Sequence, residues 1–189
     1  MATAGPNFPG TVTTEAVGTE NANDWTTPGN IAADDGAEAT ITAATYDSPD
    51  ISFRLKAQNL GFSIPDGSTI DGITVEIQKR DAAIGAAVDF RVQLLDAAGA
   101  LVGANKADTV TDWPTAATTI TYGGIADTWT ASPTVAMVND VDFGVVLSAQ
   151  ATAANTDIFV DFVRITITYT APPPPAGVPN ALMMSGAGF

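Results

Sequence analysis

Residues 73–78, ITVEIQ, place an apolar side chain at every second position: Ile73, Val75 and Ile77, with Thr74, Glu76 and Gln78 between them. A helix scatters such a set around its axis. An extended strand gathers it on one side, because successive side chains point to opposite faces. The same period runs through Val88, Phe90, Val92 and Leu94, through Phe53, Leu55 and Ala57, and through Phe143, Val145, Leu147 and Ala149. Each run predicts a strand with one face on a core. The stretch from Asp157 to Tyr169 is the longest. Its apolar set starts at Ile158, Val160 and Phe162 and then moves to Val163, Ile165, Ile167 and Tyr169. That change of phase predicts a bulge, or a strand whose two ends bury opposite faces. Weaker strand signals lie at Thr11–Val17, Glu38–Tyr46, Leu101–Lys106 and Thr118–Tyr122.

Turn chemistry separates these runs. Pro65 to Ser68, Asp71-Gly72, Ala97 to Gly99, Gly123-Gly124 and Asp140 to Asp142 supply positive φ, fixed φ or self-capping carboxylates. Many short strands with frequent reversals read as an all-β, antiparallel β-sandwich of the jelly-roll type. One short helix is expected after Ser132-Pro133, a capping hydroxyl before a proline, ending near Asn139.

The sandwich is expected to span residues 23–170. An N-terminal arm, 1–22, rich in Thr, Gly and Pro, precedes it. Residues 171–175, with four consecutive prolines, read as a polyproline spacer rising ~3 Å per residue. They lead to a C-terminal arm, 176–189, without a charged side chain.

Composition narrows the function. The chain has 189 residues, with 21 acids against 7 bases and a net charge of −14. Phosphate recognition needs clustered Lys and Arg, so nucleic acid is not an expected partner, nor is an anionic membrane. No apolar run approaches the ~20 residues of a membrane span, and the N-terminus lacks the pattern of a secretory signal. Synthesis and residence in a cytoplasm before assembly are therefore expected. Cysteine and histidine are both absent. That removes disulfides, thiolate chemistry, the commonest general base and the commonest metal ligand. The chain reads as non-enzymatic, and no cofactor is expected.

Few constellations carry chemistry. Asp34-Asp35, Asp47 with Asp50, and Asp140 with Asp142 offer oxygen ligands for calcium, but no Asp-x-Asp-x-Asp-Gly loop is present and turn capping is the simpler role. Paired carboxylates for glycoside hydrolysis carry no weight in so acidic a chain. Asp161 interrupts an apolar strand. Once buried it must pair with Arg54, Arg91 or Arg164, or accept backbone or hydroxyl hydrogen bonds. Trp25, Trp113 and Trp129 fall at loop–strand junctions, where they would seal the ends of a sandwich.

Four stretches carry a family resemblance: LGFSIPDGSTIDGI at 60–73, YGGIADTW at 122–129, VDFGV at 141–145 and VDFVRITITY at 160–169. Together they resemble a β-sandwich module recurrent in virion proteins of tailed bacteriophages, over about Trp25 to Tyr169. Modules of this kind serve as capsid decoration, as head or neck attachments and within tail-associated proteins. The resemblance thus implies a virion part and transfers no catalytic residue.

The expected function is a bacteriophage virion structural protein, foremost a capsid decoration or cement protein. Its expected partners are the major capsid protein or other virion subunits, with homo-oligomerisation. A neck or tail adaptor is the second reading. A carbohydrate-binding module, stacking sugars on Trp113 or Trp129, is the third. In the C-terminal arm, Leu182, Met183, Met184 and Phe189 are the candidate partner-binding residues, since adaptable methionines and an aromatic suit a groove on a neighbour.

Overall fold

A computed structural model describes residues 1–42, 46–155 and 157–173. Ten strands form two five-stranded antiparallel sheets. They are β1 (Ala2–Asn7), β2 (Thr11–Glu15), β3 (Ala39–Ile41), β4 (Arg54–Gln58), β5 (Thr69–Asp81), β6 (Ala87–Leu95), β7 (Leu101–Val102), β8 (Thr118–Gly124), β9 (Gly144–Ala151) and β10 (Ile158–Thr170). A 3-10 turn covers Pro28–Ile31, and one short helix, α1, covers Val135–Val138.

The pairing follows a wrap. From β3 onward, β3 lies against β10, β4 against β9, β5 against β8 and β6 against β7. That is one long hairpin folded over so that its rungs fall alternately in the two sheets. Lateral pairings of β5 with β10 and of β6 with β9 then close each sheet. The first sheet reads β1-β10-β5-β8, with β3 also on β10, and the second reads β2-β4-β9-β6-β7. This is the double Greek-key order of a jelly roll.

The amino-terminal stretch departs from expectation. Residues 1–22 are not a free arm. β1 pairs with β10, from Ala2 opposite Tyr169 to Asn7 opposite Ile165, and β2 pairs with β4 from Thr11 opposite Gln58 to Glu15 opposite Arg54. Gly5 and Pro6 disguised β1, because both residues disfavour strand interiors. They are tolerated because they fall at a register shift between Ala4 and Asn7 of an edge strand, where proline's missing N–H interrupts no regular pairing. β1 and β3 share one side of β10, at its carboxyl and amino halves respectively.

Two bulges set which side chains reach the core. In β10, Val160 opposes Lys79 and Phe162 opposes Gln78, so Asp161 is the extra residue at the change of phase. In β6, Asp89 opposes Ala149 and Arg91 opposes Ser148, so Phe90 is extra. This corrects the expected inward set of β6: Phe90 is only half-buried, while Ala87, Asp89, Val92 and Leu94 point inward. The alternation holds for Leu55 and Ala57 in β4 and for Ile73, Val75 and Ile77 in β5, whereas β9 is buried on both faces.

Trp25, Trp113 and Trp129 are all buried, and each indole N–H is satisfied. Trp25 donates to the Phe53 carbonyl at 2.9 Å, Trp113 to Asp89 at 2.8 Å and Trp129 to the Ile73 carbonyl at 2.8 Å. The helix cap is Thr134 rather than Ser132. Thr134 is extended and its hydroxyl accepts from Met137 N–H at 3.1 Å, and the helix ends at Asn139. Among the described residues no helix is long and apolar enough to cross a membrane.

Candidate functional site

β5 and β6 follow one another in the chain but lie in opposite sheets. Lys79, near the end of β5, continues the inward set of Ile73, Val75 and Ile77. Asp89 is turned inward by the bulge at Phe90. The two meet between the sheets, where the Lys79 side chain is 4% exposed and that of Asp89 is 0% exposed. Lys79 Nζ pairs with Asp89 Oδ1 and donates to the Tyr122 hydroxyl at 2.6 Å. Tyr122 in turn donates to Asp89 Oδ2 at 2.7 Å. Trp113 Nε1–H donates to Oδ1, and the Asp108 backbone N–H reaches Oδ2 at 3.2 Å. Asp89 thus accepts from four donors, as a buried carboxylate requires.

Aromatic rings complete the enclosure. Lys79 Nζ lies 4.7 Å from the Trp113 ring centroid and 5.4 Å from that of Tyr122. Burial pulls the Lys79 amine below the ordinary lysine range, against the opposing pull of Asp89. Burial and the neighbouring Asp89 carboxylate push the Tyr122 phenol far up, so it stays protonated. The adjoining cavity, of about 50 Å³, also touches Asp108, Thr111 and Ile120. It has room for water and none for a metabolite.

A second carboxylate organises the outer face of the second sheet. Glu20 accepts from Arg54 at 2.8 Å, from Arg91 at 2.9 Å and from Ser148 at 2.7 Å, joining β4, β6 and β9. Burial opposes its ionisation, yet these three hydrogen bonds prevail and its pKa falls below the usual glutamate value. Every Lys and Arg in the chain makes an ion pair of this internal kind. The others are Lys56 with Glu15, Arg80 with Glu38, Lys106 with Asp127 and Arg164 with Glu76.

The acidic pairs singled out in the sequence serve turns. Asp35 accepts from Ala37 N–H, Asp140 from Asp142 N–H and Asp50 from Asp47 N–H, while Asp47 itself accepts from Asn155 N–H in a distant loop. Among the described residues no three acids converge as a metal site. Asp161 accepts the Gly36 N–H at 3.0 Å, the backbone alternative rather than an arginine. Its pKa is raised, first by burial and then by Asp34, Asp35 and Glu38 nearby.

Trp113 and Trp129 present no open ring face to a sugar. Leu182, Met183, Met184 and Phe189 lie outside the described residues, as do positions 174 and 175 of the proline run. The buried cluster was missed in the sequence for two reasons. The alternation that marked Ile73 to Ile77 also marks Lys79, a signal that was there to be followed. Asp89 had no such signal, because the bulge reverses its direction. Comparison with protein-family models, curated proteins and solved structures finds no match to this chain.

Proposed function

We propose that this protein is a non-enzymatic structural subunit of a tailed-bacteriophage particle, carried on the capsid exterior as a decoration protein. The observation that carries the reading is the jelly-roll wrap of residues 39–170, in a chain whose stretches 60–73, 122–129, 141–145 and 160–169 resemble a module of phage virion proteins. The internal pairing of all seven cations supports it from another side. The charge left over for contact with neighbours is acidic, which suits a basic patch on a shell subunit.

The body supplies a rigid block, and the charge-free segment 176–189 supplies the attachment. In this reading Leu182, Met183, Met184 and Phe189 seat in a groove on an adjacent subunit. Each contact gains ~25 cal/mol per Å² of apolar surface covered, repeated over many copies. The experiment is a copy-number measurement on purified particles, with a density map to locate the subunit. Abundance approaching that of the major capsid protein is expected. A few copies per particle would move the protein to the neck or tail, and absence from particles would overturn the reading.

A further inference from the structure

Going beyond that structural role, we propose that Lys79 and Asp89 are the site of an intramolecular isopeptide bond, a covalent link between the two sheets formed by the folded protein itself. Three features of the cluster carry this. The amine and the carboxyl are in direct contact and shielded from solvent. The Tyr122 hydroxyl touches both reacting groups, accepting from Lys79 Nζ at 2.6 Å and donating to Asp89 Oδ2 at 2.7 Å. Trp113 Nε1–H is aimed at Oδ1 from 2.8 Å, where negative charge gathers when the carbonyl carbon is attacked.

The chemistry balances without any co-reactant. Through the Tyr122 hydroxyl, which accepts from Nζ and donates to Oδ2, one proton passes from the Lys79 ammonium to Asp89 Oδ2, leaving a neutral amine and a neutral acid. The Nζ lone pair adds to Cγ and forms the C–N bond, while Oδ1 takes up the charge under the Trp113 N–H. Tyr122 accepts the second proton from nitrogen and passes its own to Oδ2. The Cγ–Oδ2 bond breaks and Oδ2 leaves as water. One hydrogen stays on nitrogen, and the product is a neutral secondary amide.

Holding the two groups in contact replaces a bimolecular encounter by a unimolecular step. The enclosure also favours the product. A buried ion pair carries a desolvation penalty, and condensation removes both charges at once. The lowered basicity of Lys79 agrees with access to the free amine. The cavity beside the cluster gives the released water a place.

The test is intact-mass spectrometry of the denatured full-length protein, followed by tryptic mapping. The expected mass is one water below that of the sequence. The expected map joins residues 57–80 to residues 81–91 through Lys79 and Asp89, with no cleavage after Lys79. Asp89→Asn should lose one ammonia instead, and Lys79→Met should keep its full sequence mass. Tyr122→Phe keeps the ring and removes the relay, so the linked fraction at a fixed time after synthesis should fall at least several-fold. Wild-type protein at full sequence mass, with linear peptides ending at Lys79, overturns the proposal. A mass deficit that maps to any other pair of residues overturns it equally. Both readings come from the wild-type chain and do not depend on any variant folding.

Discussion

Ser148 donates a 2.7 Å hydrogen bond to the Glu20 carboxylate, although 128 residues separate them in the chain. Arg54 and Arg91 hold the same carboxylate from the neighbouring strands. Replacing Glu20 by Ala leaves two guanidinium groups and a buried hydroxyl without their acceptor. Removing one partner of a buried ion pair typically costs about 3–5 kcal/mol. The arginines here keep some solvent, so a loss of about 3 kcal/mol is expected in urea denaturation.

The same residue fixes the response to acid. Its pKa is lower in the folded protein than the ordinary value of 4.5. A depressed carboxyl contributes stability that is fully present above the unfolded value and is lost as pH falls through the folded one. The melting temperature of the wild type should therefore drop as pH is taken below 4.5, and Glu20→Gln should flatten that slope. A wild-type slope retained in full by Glu20→Gln would assign the acid response to other groups.

Gly123 has φ +72°, and a Cβ there would run into the Ile73 carbonyl and the Trp129 indole nitrogen. The hydrogen bond between those two groups leaves the newcomer no room. Gly123→Ala should cost about 2–3 kcal/mol by forced repacking. Gly29→Ala, which meets open space on an exposed turn, should stay within about 0.5 kcal/mol. Equal effects of the two substitutions would contradict this account.

The two ends of the chain should behave differently on truncation. Deleting residues 1–10 removes β1 and the Phe8 ring that packs edge-on against Phe162 at 6.0 Å. It bares one side of β10, so lower thermal stability and self-association are expected. Deleting residues 176–189 should leave the melting temperature unchanged while abolishing incorporation into particles. Normal occupancy of the shorter chain would rule out the proposed attachment.

Much of the architecture is legible in the sequence because burial on one face of a strand imposes a period of two. Ile73 to Ile77 show this directly. Even the bulge at Asp161 announces itself, since one extra residue must reverse the phase. β1 does not, because its Gly5 and Pro6 read as a loop and its pairing depends on a partner some 160 residues away. The bulge at Phe90 is hidden for a related reason. Val88, Phe90 and Val92 keep an unbroken apolar alternation while the backbone beneath them shifts. Glu20 lies outside any periodic run, and no local pattern shows that three strands will close around it.

Among the described residues β10 is the last strand, and β1, β3 and β5 all pair with it. While the ribosome is still upstream of residue 158, β1 has nothing to join, β3 has only the bridge from Thr40 to Thr26 and β5 has only β8. Completion of the first sheet therefore waits until Ile158–Thr170 has been made, and such long-range pairing is intrinsically slow. During that interval bare strands are open to strands from sibling chains. Mutual repulsion between chains carrying 21 acids and only 7 bases helps keep them apart until closure.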